Sequence, residues 1–379
     1  MKLKHLHYGW VTVAIAACIL GAFATAIYTF GIFLLPLTIE FNWDRGALSG
    51  TFSVYLLIGG FLAIFGGRLS DRYGPRLLLT IAGLLIGVGF LLMSQVSSLW
   101  QVYIIWGLIM SVGHGNCFVP ITSTIPRWFA RKRGTAMGIT VAGAGLGGMI
   151  SPPLAQWFIS SYGWQQAYVI LGLITFIIII SLAQFMKHSP QRVGLRPYGE
   201  DETIEDKQSP VSSTEGLSFK QAIKTGRFWL FGLILFCFML CLQVTRVHFV
   251  PYAVDIGISA IIAASILSII NGTSLFGRLS MGFIADRRGA RPVLAACLVT
   301  LTLALVWLLL GQGIWVFYVF AVVFGVAYGG IISVQWLVPA ELFGLGSLGM
   351  ILGSLNFFSN IGGALGPLLA GSIFDITGS

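Results

Sequence analysis

Arg278 is the residue in this chain whose position most demands a chemical reason. It stands in NGTSLFGRLSMGFIADRRGAR, the stretch from Asn271 to Arg291. Ile261 to Phe276 carry no charge, and one more apolar turn follows Arg278 before the charged loop Asp286–Arg291. At 1.5 Å rise per residue the guanidinium lies roughly 12 Å inside a helix end. A cation at that depth in hydrocarbon costs at least ~2.5–3.5 kcal/mol, so it should face a bundle interior or a water-filled cavity and meet an anion. A planar guanidinium fork can offer an anion two parallel hydrogen bonds, which makes anion recognition the chemistry to expect. No enzyme is expected beside it. The carboxylates stand in loops, no HExxH or Walker pattern occurs, and no Ser/His/Asp set falls within one plausible span. The five cysteines, Cys18, Cys117, Cys237, Cys241 and Cys297, lie in apolar spans without metal-ligand spacing, so they read as small core hydrophobes, and neither metal nor cofactor is expected.

The elements that must position Arg278 are membrane helices. Hydrophobic residues make up 56% of the chain and charged residues 9%, with a mean hydropathy of +0.90, against roughly 25% charged in soluble proteins. Apolar spans fall at about 8–37, 46–68, 77–95, 99–126, 134–160, 164–187, 227–252, 259–285, 292–311, 314–338 and 346–373. Each is near or above the roughly 20 residues that cross a bilayer. The net charge of +9 does not point to nucleic acid. All but Arg45, Arg246 and Arg278 of the 22 Lys and Arg residues fall at the N-terminus or in every second loop, which predicts a cytoplasmic N-terminus. The N-terminal apolar run continues to Pro36 without a small-residue cleavage site and reads as a retained first helix. The segment 188–226 carries Pro, Ser, Gly and the acidic run Glu200, Asp201, Glu202, Glu205 and Asp206, and reads as a cytoplasmic linker, disordered or weakly helical.

A repeat organises these spans. Shifting the sequence by 215 places Pro36 on Pro251, Glu40 on Asp255, Gly67 on Gly282, Asp71 on Asp286, Arg72 on Arg287, Gly74 on Gly289, Arg76 on Arg291 and Pro152 on Pro367. The matched residues are those that carry backbone geometry and charge. Two halves are expected, 1–187 and 227–379, joined by 188–226; the same shift sets a sixth helix of the second half at about 379–402, so the twelfth helix is expected to be missing from this chain. The motif Gly67, Asp71, Arg72, Gly74, Arg76 and its copy Gly282, Asp286, Arg287, Gly289, Arg291 resemble the loop motif of the major facilitator superfamily. That resemblance implies an all-α membrane fold of two pseudo-symmetric six-helix halves, with these loops acting as gates.

The Tyr8-Gly9-Trp10 entry to the first helix, the Phe129-x-Arg131-Lys132-Arg133-Gly134 segment and Gly277-Arg278 are similar to signatures of the monocarboxylate transporter branch and its bacterial oxalate/formate antiporter relatives. In that branch the helix-eight arginine engages the substrate carboxylate, which implies the role for Arg278. The chain departs from animal members where Ser274 replaces their helix-eight aspartate and where no lysine stands between Tyr8 and Pro36. Transporter sites lie near the bilayer midplane, which adds Asn271, Tyr328, Tyr28, Asn116, Asn356 and Asn360 as cavity candidates, with Ser274 beside them. Asp255, His248 and His114 are the candidates for proton coupling. Arg246 reads as lining an outer vestibule or reaching the headgroups. The expected function is secondary active transport of small monocarboxylates such as lactate or pyruvate with a proton, in the cell membrane, with a monomer sufficient. Oxalate/formate-type exchange is the alternative; it is disfavoured here because residues 346–373 contain no Lys or Arg. A non-transporting sensor on the same fold is the less favoured reading, since an appended signalling domain would be expected with it.

Overall fold

The computed structural model of the chain describes residues 7–200, 216–255, 257–258, 260–309 and 313–377. The acidic run from Asp201 to Asp206 lies outside them, as do the side chains of Asp255 and Asp375. Long helices follow one another as α1 (Tyr8–Phe41), α2 (Arg45–Tyr73), α3 (Pro75–Met93), α4 (Leu99–Trp128), α5 (Arg133–Tyr162) and α6 (Trp164–Ala183). After the connecting segment come α7 (Gly226–Asp255), α8 (Ala260–Arg288), α9 (Ala290–Leu309), α10 (Ile314–Phe343) and α11 (Leu348–Thr377). Ten of these are long and apolar enough to cross a membrane by length and composition. The other, α8, carries the Arg278 stretch. Each expected span coincides with one helix. Pro251 does not end α7, which continues to Asp255; a proline removes one backbone donor while the neighbouring turns stay bonded.

Two helices open at the depth of the cavity. In α4 the turns widen over Ile105–Met110 and the helix breaks at Asn116 and Cys117, where Pro120 supplies no N–H to the Asn116 carbonyl. In α10 the break falls at Gln335–Leu337, and Pro339 stands four residues past Gln335. The packing obeys the repeat. α1 lies on α5 as α7 lies on α11, and α2 lies on α11 as α8 lies on α5. Trp106, Tyr55, Phe90 and Tyr168 are fully buried among the first six helices. Leu233, Leu303 and Trp315 face outward at 55%, 62% and 77% exposure, as a surface solvated by lipid allows.

The described part of the linker is ordered. Pro190–Val193 forms a short turn, the Tyr198 N–H donates to the Trp128 carbonyl at 2.9 Å, and the Trp128 indole donates to the Lys187 carbonyl at 3.0 Å. Further on, the Leu217 N–H donates to the Phe343 carbonyl at 2.8 Å. Of the two expectations for this segment, the weakly helical one matches 188–200 and 216–226, where Pro190–Val193 and Phe219–Ala222 form short helical turns and backbone groups find partners at the ends of α4 and α10.

Candidate functional site

A cavity of about 190 Å³ lies between the first six helices and the later five. Arg278 enters it from α8 with only 5% of its surface exposed. Its Nη1 donates to the Val141 carbonyl at 3.1 Å and its Nη2 to the Tyr328 hydroxyl at 3.2 Å. Its Nε–H has no hydrogen-bond partner among the described residues. Arg246 enters the same cavity from α7. Its Nη2 donates to the Tyr328 hydroxyl, and its Nη1 to Gln243 Oε1 at 3.3 Å. Both guanidiniums also stand over the Tyr328 ring, at 5.2 Å for Arg246 and 5.8 Å for Arg278. The Tyr28 hydroxyl from α1 is beside both. No Asp or Glu lines the cavity among the described residues, so the two cations meet dipoles and rings rather than a carboxylate. Two like charges held together in an apolar enclosure attract an anion strongly.

Tyr28, Tyr328, Asn356 and Asn360 line this cavity, as does His114, whose Nδ1 is 3.1 Å from the Tyr55 hydroxyl. Four other candidates do not. Asn271 is exposed on α8, and its carbonyl takes the Ser274 hydroxyl at 2.7 Å. Ser274 is buried instead against Gly329 of α10. Asn116 turns toward Gly66 and donates to the Val112 carbonyl at 2.8 Å. Short polar side chains satisfy themselves on a carbonyl one turn back, so depth in the membrane did not tell which face they occupy. His248 lies close to the Pro367 carbonyl, Nε2 at 3.0 Å, and ties α7 to α11 away from the cavity.

Arg246 was placed at the outer rim by its distance from the helix start, and the structure moves it into the site. The signal was present in the sequence. Met239, Leu242, Gln243 and Arg246 all line the cavity, and their spacing is that of one helix face.

At one end of the bundle the loop motifs clamp the two sets of helices together. Asp71, near the end of α2, accepts from the Gly349 and Met350 N–H groups at 3.0 and 3.1 Å, at the start of α11, and pairs with Arg127 at 2.9 Å. Asp286, near the end of α8, accepts from the Gly134 and Thr135 N–H groups, at the start of α5, and from the Thr135 hydroxyl. Each carboxylate therefore occupies the positive end of a helix from the other set. Gly67 and Gly134 permit this approach. A Cβ on Gly67 would collide with the Gly349 carbonyl, and one on Gly134 with that of Gly282. Gly74 and Gly289 take φ of +87° and +86° at the two matching turns, which glycine adopts without strain. Arg76 donates to Gln184 at 2.8 Å and Arg291 to the Glu341 carbonyl at 2.8 Å, while Arg72 stacks on Tyr73 and Arg287 on Phe283. Arg127 was not singled out from the sequence, because its partner lies 56 residues away.

Comparison with known proteins agrees with this architecture. The family model described as Major Facilitator Superfamily matches residues 13–367. The chain is 27% identical over 375 residues to Monocarboxylate transporter 13 of Bos taurus, covering 98% of this chain and 84% of that protein. It is 26% identical over 364 residues to the uncharacterised MFS-type transporter YcxA of Bacillus subtilis, covering 92% and 84%. Among solved structures, the E. coli fucose:proton symporter FucP superposes with a TM-score of 0.69 at 16% identity, covering 98% of this chain and 93% of that one. FucP in the outward conformation gives a TM-score of 0.70 at 16% identity, covering 98% and 94%. The eleven long helices among the described residues, the cavity between two sets of them and the repeated loop clamps accompany a family match over residues 13–367, and the chain belongs to the Major Facilitator Superfamily.

Proposed function

We propose that this secondary transporter carries small carboxylates, taken as anions at Arg278, by alternating exposure of the cavity to the two sides of the cell membrane. The observation that carries the reading is the pair of guanidiniums in a cavity without an acidic lining residue among those described. A carboxylate entering there meets the orphaned Nε–H of Arg278 and the adjacent Arg246 fork. The Asp71 and Asp286 clamps close the end that the basic loops assign to the cytoplasm. The names of relatives such as Monocarboxylate transporter 13 support one carboxylate per molecule, with lactate and pyruvate as the first acids to assay.

A proton accompanies the anion in this reading. Moving an anion alone against an inside-negative potential costs roughly 2.3 kcal/mol per 100 mV, and one proton per anion removes that term. His114 lines the cavity with its Nδ1 3.1 Å from the Tyr55 hydroxyl, and it is one carrier to examine. Asp255 is the second carrier to examine. The test is uptake of labelled carboxylates by reconstituted protein with and without a pH gradient. Accumulation that follows the gradient and is lost in Arg278→Lys is expected; uptake by Arg278→Lys at the unmodified rate would sink the reading.

A further inference from the structure

Among the described residues both cations of the cavity come from one wall, where Met239, Leu242, Ile332 and Trp336 flank the polar groups. The wall contributed by the later helices carries Gln243, Arg246, Arg278, Tyr328, Asn356 and Asn360. The facing wall, from α1, α2 and α4, carries no cation among the described residues: Tyr28 stands beside the guanidiniums and His114 lines it too, and the rest includes Phe23, Ile27, Phe52, Leu56 and Phe118. Both cations are gathered at one point, since both guanidiniums donate to the same Tyr328 oxygen. A solute that satisfies this enclosure has one anionic end and an apolar body.

We propose that the site selects carboxylates with a bulky apolar body, aromatic or branched, in preference to three-carbon acids and to short dianions. This rests on the carboxylate-transport reading above and narrows its substrate class. The carboxylate lies between Arg246 and Arg278, one oxygen toward each guanidinium, and the Nε–H that lacks a protein partner gains an acceptor. The body lies against Phe23, Ile27, Phe52 and Leu56. The methyl of lactate or pyruvate is too small to cover five apolar side chains, and oxalate has no apolar group at all. Either acid leaves that wall in contact with water. Each additional methylene that reaches the wall strengthens binding by about fourfold, the transfer free energy of one buried CH₂.

The test is equilibrium binding to purified full chain of acetate, butyrate, hexanoate and phenylacetate, alongside lactate, pyruvate, oxalate and the uncharged benzyl alcohol. Affinity is expected to rise along the straight-chain series by about fourfold per methylene until the wall is covered. Phenylacetate is expected to bind at least about tenfold more tightly than lactate on the same account. Leu56→Ser, which wets the wall without touching either arginine, should shrink that ratio to below about threefold. The series on unmodified protein decides the matter even if the variant does not fold. A flat series, or lactate binding as tightly as phenylacetate, overturns the inference and leaves carboxylate transport standing. Oxalate binding most tightly overturns it in favour of a dianion bridging both arginines. Benzyl alcohol binding as well as phenylacetate, or no carboxylate binding at all, overturns the carboxylate reading itself.

Discussion

At Arg278 two donor directions are filled by the Val141 carbonyl and the Tyr328 hydroxyl, and a third points at no protein acceptor. That division explains why a cation survives in an apolar span. The protein dipoles hold the fork in place, and in the function proposed above the remaining donor takes the carboxylate. Lysine keeps the charge but offers a point ammonium that cannot serve the carbonyl, the phenol and a carboxylate together. Arg278→Lys is therefore expected to reach the membrane normally and to lose transport by at least about tenfold, the scale of one charge-assisted hydrogen bond. Uptake kinetics beside surface-expression measurements would check it. Tyr328 is the positioning residue for both arginines, and Tyr328→Phe keeps the ring under the two guanidiniums while removing the shared oxygen. It should weaken substrate binding by roughly threefold to tenfold, read as a raised KM with a smaller change in kcat.

The clamps operate between elements. Asp71 neutralised to Asn would still fill its space but would lose the charge that faces the α11 N-terminus and Arg127. The closed end should then open more often, slowing turnover by roughly threefold to tenfold with equilibrium affinity little changed. Asp286→Asn at the α5 N-terminus should behave alike. Label distances between the ends of α2 and α11 would report the opening, and a large loss of affinity at an unchanged distance distribution would count against a gating role. A separate pH effect is built into the segment after α6. Burial, then the neighbouring Arg127 and Arg192 guanidiniums, push His188 down from 6.5 to about 4. Folding favours its neutral form, so that packing is intact above pH 6.5 and is lost as pH falls from there toward 4. His188→Gln should flatten this dependence in thermal unfolding recorded across that window.

For the whole molecule the question is charge movement. A carboxylate and a proton crossing together leave the net charge carried at zero. Uptake should then follow the pH gradient and stay unchanged when a potential of either sign is imposed across the vesicle. His114→Gln is expected to retain binding while losing gradient-driven accumulation, and Asp255→Asn distinguishes the second candidate. Wild-type dependence on external pH in both variants would remove proton coupling through these groups. Glu40, which the repeat sets at the position of Asp255, accepts a hydrogen bond from the Trp164 indole at the start of α6 and lies 3.4 Å from Gln165. This gives the Asp255 position a structural counterpart as well as a proton role to test.

The sequence alone determined the class of fold and the existence of a buried cation. Long apolar spans leave a chain no other way to satisfy its backbone in a bilayer than as helices, and the shift of 215 carried the helix pairing with it. Asp71 and Asp286 were legible because their chemistry is local to a repeated loop. Which polar residues meet was decided only in three dimensions. Asn271 has the right depth yet is exposed on α8, Ser274 and Asn116 turn to carbonyls of their own helices, and Arg246, assigned to the outer vestibule or the headgroups, turns inward to share Tyr328 with Arg278. Depth is a property of one helix and can be counted along the chain. Facing depends on where the other helices stand, and at the α4 and α10 breaks it also depends on where proline has opened the turn.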